Sequence, residues 1–203
     1  MDPVVALDGR PLGPRGVQTR RRLLDATTTR LESHGVRDLR VVDIAREAGT
    51  SPATFYQYFR DVEDAVLALA VEVGEEVAPL AALLAEPWRG DAGLASARTL
   101  VDGFLDYWDR HRAILRTRNL AAQEGDPRFR DARNRANAPF LDGFARQVRD
   151  ARARGLAPLA ASAALVALIE RMAQFHADLE PLGIPRADLV ETTARILFQT
   201  AVG

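Results

Sequence analysis

Apolar positions recur at three- and four-residue spacing along most of the chain. Val17, Leu23, Leu24, Ala26, Thr27 and Leu31 share one face of a 3.6-residue period, which predicts an amphipathic helix from about Val17 to Ser33. Gly35 stops it, a short helix follows over Val41 to Ala48, and Gly49 closes that one. Ser51 is placed to cap a third helix, with Pro52 at the first helical position where its missing N–H costs nothing; this helix runs to about Phe59. Asp61 caps a longer helix from Val62 to about Ala85, broken by Glu86-Pro87 and Arg89-Gly90. Further helical patterns cover about 91–110, 111–124, 127–154, 158–179 and 186–201. Gly125-Asp126-Pro127, Gly155 to Pro158 and Pro181 to Pro185 separate the last of them. No window alternates apolar and polar residues long enough for a strand. The expected fold is all-α, with about nine helices and no internal repeat.

Residues 1–15 hold three Pro, two Gly and no apolar period, and read as a mobile arm whose Arg10 and Arg15 are either solvated or set against phosphate. Three regions follow: the arm at 1–15, a small helical domain at 16–60 and a larger one at 61–203. No apolar run approaches the ~18–20 residues of a membrane span, and no signal-type stretch opens the chain, so a cytoplasmic protein without a membrane partner is expected.

Composition removes several chemistries. The 203 residues contain no Cys, and all 27 basic residues are Arg. Thiolate metal sites, cysteine nucleophiles, Schiff-base lysines and a P-loop lysine are all excluded. The net charge of -1 argues against a nucleic-acid partner until the chain is divided after Arg60. Residues 1–60 carry 10 Arg against 7 acidic residues, and the remainder carries 17 Arg against 21. The small N-terminal region is the basic one, as a phosphate-facing module requires.

The stretch Asp43 to Tyr58 has the spacing of a helix-turn-helix. Ala45 fits where two helices cross closely, Gly49 takes the left-handed turn, and Phe55 anchors the second helix, with Ile44, Ala48 and Tyr58 completing the seam. An ordinary helical corner in an all-α protein has the same three markers. The outward residues of the third helix favour DNA: Thr50, Ser51, Ala53, Thr54, Tyr56 and Gln57 are small or neutral hydrogen-bonding groups rather than the Glu and Arg of a solvated face. In a major groove, Gln pairs with adenine, Ser and Thr meet base or phosphate, and a methyl meets thymine.

The run from Arg20 through Val66, with Arg-x-Leu-Leu-Asp-Ala, Gly35, Val-x-Asp-Ile-Ala, Ala-Gly-Thr-Ser and Ala-Thr-Phe-Tyr-Gln-Tyr-Phe, resembles the DNA-binding domain of the TetR family of bacterial repressors. The rest resembles the family in helix count and length alone. The resemblance implies that Thr50, Ser51, Thr54, Tyr56, Gln57 and Tyr58 form the DNA-facing side of the recognition helix and its cap, and that Arg20 and Arg21 approach phosphates. Two positions depart from the pattern. Arg40 replaces the usual Thr that caps the second helix and touches phosphate, and Val62, in the acidic run Asp61, Glu63 and Asp64, replaces a usual Lys. Arg40 can still meet phosphate; Val62 removes an anchor worth about tenfold in affinity through counterion release.

One short recognition helix discriminates poorly, so two copies on a palindromic double-stranded operator are the natural arrangement. In the family the last two long helices pair with their copies, which points to helices 158–179 and 186–201 as a homodimer interface, against a plain intramolecular core. Between them and the N-terminal domain lie Trp88, Phe104, Tyr107, Trp108, Phe129, Phe140, Phe144 and Phe175. Each reads singly as core packing, and together they suggest a roomy apolar cavity. Phe104, Tyr107, Trp108, Asn119, Gln123, Phe140, Phe144, Met172, Phe175 and His176 are the candidate contacts to a mainly apolar small-molecule effector. Asn137 and Glu170 are further polar groups on the same helices.

No cofactor or metal is expected, because His34, His111 and His176 lie in different segments without ligand spacing, and His111 beside two Arg reads as solvated. No nucleophile elbow or Gly-rich phosphate cradle is present, so a non-enzyme is expected. The resemblance implies a ligand-responsive repressor, in which effector binding shifts the fourth helix and changes the separation of the recognition helices. The competing reading is a small-molecule binding protein whose helix-turn-helix is not used for gene regulation. A third, an all-α enzyme, requires a buried reactive cluster.

Overall fold

The computed structural model describes residues 5–148 and 154–203. Helices run in the order α1 Pro14–Ser33, α2 Val41–Glu47, α3 Pro52–Tyr58, α4 Val62–Glu76, α5 Ala78–Ala81, α6 Gly90–Gln123, α7 Pro127–Gln147, α8 Pro158–Leu179 and α9 Arg186–Val202. Among the described residues there is no strand beyond one isolated bridge between Val5 and Pro11. The all-α expectation is met.

Two compact units are present, one of residues up to 72 with 113–133, the other of 73–112 with 134–203. The sequence drew its boundary at residue 60 instead. Helical periodicity cannot see this division, because α4, α6 and α7 each run through a unit boundary without a break in pattern.

In the first unit α1 packs on α2 and α2 on α3. Leu23, Leu24, Ala26, Thr27 and Leu31 of α1 are buried as the period requires, with Ile44, Ala45 and Ala48 from the second helix and its cap, and Phe55 from the third. Val17 departs from the pattern at 42% exposure, since the buried stripe begins only at Leu23. Thr27 satisfies its buried hydroxyl by donating to the Leu23 carbonyl at 2.8 Å. Residues 5–13, expected to be a mobile arm, have defined backbone bonds, and α1 begins at Pro14, earlier than the apolar period suggested.

The helix expected over 62–85 is divided into α4, the single turn α5 and a 3-10 turn at Ala82–Leu84. Pro79 supplies the reason, since it has no N–H to continue the α4 ladder and fits only the first turn of a new helix. The helices expected at 91–110 and 111–124 form one element, α6, and the anticipated break survives as a kink at His111 (φ -118°, ψ 17°). α7 ends at Gln147, and residues 149–153 of the 127–154 expectation lie outside the described residues.

In the second unit Trp88, Leu100, Phe104, Leu105, Tyr107, Trp108, Phe140 and Phe144 are buried. Two glycines allow close approach: a Cβ on Gly143 would lie 2.7 Å from Leu84 Cβ, and one on Gly103 would lie 2.7 Å from Leu80 Cδ2. Gln147 is buried and clasps the 84–88 segment, donating to the Leu84 and Glu86 carbonyls and accepting the Trp88 N–H. α8 and α9 pack on each other. Contrary to the expectation that no apolar run is long enough, Pro158–Leu182 is one helical stretch with the length and apolarity of a membrane span. Leu165, Val166, Ile169 and Ala173 of that stretch are buried in the protein itself. The helix itself was expected over 158–179, but Glu170 and Arg171 interrupt the apolar run in the sequence while the surrounding Leu, Val, Ile and Ala carry the average over its whole length.

Charge pairs tie α6 to α9. Arg98 donates to Glu191 through Nε and Nη2, and Arg195 donates to the same carboxylate at 2.6 Å. The Arg98 hydrogen bond, with help from Arg195, lowers the Glu191 pKa from 4.5 to about 2. A depressed folded-state value makes this contribution complete above the unfolded carboxylate range and removes it as pH falls from 4.5 toward about 2. The difference in thermal midpoint between wild type and Glu191→Gln should therefore be largest near neutral pH and vanish toward about pH 2. A difference that stays constant across that window contradicts the assignment.

Candidate functional site

The chain enters α3 through a turn that only glycine adopts without strain. Gly49 has φ +65°, and the Thr50 N–H returns to the Ala45 carbonyl at 2.8 Å, closing α2. Ser51 Oγ then accepts the Thr54 N–H at 3.2 Å and caps the new helix. Phe55 is fully buried, with its ring 5.4 Å from that of Phe59, and this anchor sets the rotation of α3. One consequence is the outer surface. Ser51, Ala53, Tyr56 and Gln57 are exposed, and Thr50, Thr54 and Tyr58 are half-buried. Of the outward groups expected from the sequence, Ser51, Ala53, Tyr56 and Gln57 are thus fully accessible and the other three are partly covered. Tyr58, expected also in the apolar seam, lies between the two settings.

The cations are placed less as expected. Arg20 Nη1 donates to Glu72 Oε1 at 3.0 Å, and Arg21 Nη1 donates to Glu72 Oε2 at 2.8 Å while its Nε serves Asp25. Glu72 of α4 holds both, Asp25 of α1 holds Arg21 as well, and Arg20 also covers the Phe59 ring. No reading of local sequence could pair residues 20 and 72. Arg40 stands at the N-cap of α2 with no side-chain cap bond, in agreement with its inability to accept one. It is exposed. Arg22, which the sequence did not single out, is exposed too, and its Nη1 would lie 4.0 Å from a Cβ on Gly49, beside the α2–α3 turn. The signal was present in the consecutive Arg20, Arg21 and Arg22, but only the fold shows which of the three faces the turn.

Val62 is buried as the first residue of α4, so it contributes to the core and offers nothing to phosphate. The acidic residues around it have local work. Asp61 Oδ1 accepts the Asp64 N–H at 2.7 Å, and Asp64 accepts both the Arg60 N–H and its guanidinium. They cap the α4 N-terminus and complement its dipole.

Comparison with known proteins decides the family. Residues 23–69 match the family model described as bacterial regulatory proteins of the tetR family, and residues 80–203 match the tetracyclin repressor-like C-terminal domain. The chain belongs to the TetR family. A curated relative, an uncharacterized HTH-type transcriptional regulator of Haemophilus influenzae, is 29% identical over 140 residues, 67% of each chain. Among solved structures, Salmonella enterica GusR superposes with a TM-score of 0.68 at 17% identity, covering 94% of this chain and 97% of its own. The transcriptional regulator FadR of Bacillus subtilis, solved in complex with stearoyl-CoA, does so with a TM-score of 0.62 at 17% identity, covering 90% and 97%. This TetR-family protein is accordingly a helix-turn-helix DNA-binding transcription regulator, and members of its family are not enzymes.

The regulator's candidate effector contacts divide between the units. Phe104, Tyr107, Trp108, Phe140, Phe144, Met172, Phe175 and His176 belong to the second, and Asn119 and Gln123 to the first. Gln123 is exposed, and Asn119 Oδ1 accepts from Nε of the buried Arg118. In the second unit Phe104 meets Phe140 edge-to-face at 5.5 Å, Phe144 meets Trp88 at 6.0 Å, and Tyr107 donates to the Val73 carbonyl. Phe175 and Met172 are half-buried, and Arg171 covers the Phe175 ring. Trp108 differs from its neighbours. It is 1% exposed, and its Nε1 has no hydrogen-bond partner.

His176 is part of a charge network rather than an isolated polar group. Its Nε2 lies 2.8 Å from Asp109 Oδ1, Arg112 donates to the same oxygen at 2.7 Å, and Arg186 spans Asp102, Asp106 and Asp109 along one face of α6. Burial raises the Asp109 carboxyl, but the hydrogen bonds from Arg112 and His176 outweigh it and hold it below the usual range. His111, expected to be solvated, is half-buried, because its ring is taken up 5.4 Å from Tyr107 and its Nε2 lies 2.9 Å from Glu76. No group of three or more metal-ligating side chains occurs among the described residues.

Proposed function

We propose that this regulator is a ligand-responsive repressor that binds a palindromic operator as a homodimer and is released by a mainly apolar small molecule held in its C-terminal unit. The outer face of α3 carries the reading: uncharged hydrogen-bonding groups on a helix whose rotation is set by Phe55 and whose entry is set by Gly49. Exposed Arg22 and Arg40 supply phosphate contacts in place of Arg20 and Arg21. A bacterial repressor of this kind acts in the cytoplasm, where its operator DNA lies.

The dimer is supported by the apolar residues that α8 and α9 leave uncovered, with Leu159 at 72% exposure and Ile196 and Val202 also exposed. Ala160, Ala163, Ala164 and Ala167 lie on the exposed side of α8 and permit close helix approach. The effector is supported by the buried aromatics and by the unpartnered Trp108 N–H, a donor that a ligand oxygen would satisfy. No cofactor enters this scheme. Effector and operator oppose each other through a coupling free energy, typically ~1–3 kcal/mol.

A duplex selected by the protein from a randomised pool tests the reading. Binding should weaken steeply with salt, and Gln57→Ala with Tyr58→Ala should abolish preference for the selected duplex while the helical fold is retained. Failure to enrich any sequence sinks the repressor. The pairing of Arg20 and Arg21 with Glu72 favours a second reading, a small-molecule binding protein that does not use its helix-turn-helix, and that reading predicts no enrichment.

A further inference from the structure

Residues 5–13 form a closed loop that neither the repressor reading nor the core requires. Ala6 N–H donates to the Arg10 carbonyl at 2.9 Å, Gly9 N–H donates to the Ala6 carbonyl at 2.9 Å, and Val5 pairs with Pro11. Gly9 takes φ +80°, the conformation that Asp-Gly sequences favour in tight turns. The loop is fastened to the recognition helix. Leu7 N–H donates to the Gln57 carbonyl at 3.1 Å, one of the carbonyls that the end of α3 leaves without a helical partner. On the same side a Cβ at Gly16 would lie 3.2 Å from Leu12 Cδ2 and 3.6 Å from the Tyr58 hydroxyl, so the start of α1 also closes on this place.

The result is a cleft of about 390 Å³ with Leu7, Asp8 and Arg10 on one wall and Tyr56, Gln57 and Tyr58 on the other. Its second wall is the DNA-facing surface itself. Arg10, 83% exposed, is aimed by Asp8, which accepts from Nε at 2.7 Å and lies 2.6 Å from Nη2. That pairing leaves the Nη1 donors of the guanidinium for another acceptor. Asp8 opposes a phosphate by charge, but it also fixes the guanidinium through two short contacts, so less rotamer freedom is lost when Arg10 meets an anion.

We propose that the 5–13 loop is a second DNA-contacting element, which rides on the C-terminal end of α3 and sets Arg10 against the operator phosphate backbone beside the groove that α3 reads. The proposal rests on the repressor reading. DNA phosphate is the occupant favoured for the cleft, because an anion would meet the Arg10 guanidinium together with the Tyr and Gln donors of α3.

The experiment compares wild type, Arg10→Ala and Leu7→Pro on the duplex selected from the randomised pool, with salt titrations and circular dichroism. Leu7→Pro removes the N–H that fastens the loop and leaves Arg10 in the chain. Both variants should keep the helical spectrum and bind about tenfold more weakly, and Arg10→Ala should lower the slope of log K against log salt by about 1.8, one contact from each protomer. An unchanged slope with Arg10→Ala overturns the proposal, even if Leu7→Pro weakens binding, since the loop would then only support α3. Tighter binding by Leu7→Pro overturns it in favour of a loop that masks α3. If wild type enriches no duplex, the repressor reading fails first and the loop's role with it.

Discussion

Phe55→Ala should destabilise the DNA-binding unit by about 3–5 kcal/mol, the usual cost of truncating a buried aromatic. The side chain is fully buried, its ring lies 5.4 Å from Phe59, and it is the one residue of α3 in the core. α3 has seven residues, too few to persist in water without tertiary contacts. Losing its anchor removes both the helix and the surface it presents, so thermal unfolding of the unit and loss of duplex binding should move together. Phe55→Leu, which keeps an apolar anchor, should recover most of both. A variant Phe55→Ala that melts within about 1 kcal/mol of wild type would show that α3 is held from elsewhere, and the 5–13 loop would be the next place to look.

Trp108 gives the second large effect, with a contrast between two substitutions. Trp108→Ala empties a fully buried site in α6 and should cost about 3–5 kcal/mol. Trp108→Phe should cost far less, about 1–2 kcal/mol, because the indole N–H it removes has no partner in the folded chain and its burial already carries a penalty. Chemical denaturation of the two variants measures the difference. The same pair examines the effector reading, since Trp108→Phe should keep the fold and the DNA affinity while losing sensitivity to an effector that accepts the N–H. Equal losses from Phe and Ala would mean that Nε1 does have an acceptor.

Much of the helix-turn-helix was readable from the chain because its determinants are local. Gly49 needs a positive φ, Ser51 caps a helix three residues away, Pro52 fits only a first turn, and Phe55 follows Gly49 at a distance that one turn and a half-helix impose. The helices α8 and α9 were legible for a similar reason, with Pro and Gly at their ends. The effector residues were legible only as a group of aromatics. Apolar character says that a ring is buried, and it carries no information on whether a ligand or another ring lies against it.

By itself the sequence determined the all-α class, the position and outward face of α3, and the concentration of basic charge in the first sixty residues. These follow from periodicity, capping and composition, which act over a few bonds or are simple sums. Tertiary structure alone decided which of those charges are free. Glu72 holds Arg20 and Arg21, and Arg22 and Arg40 are left exposed. It also turned an expected loose arm into a loop bonded to Gln57. An ion pair or a cap between residues some fifty positions apart depends on where two helices cross, and that is settled by how the whole core packs.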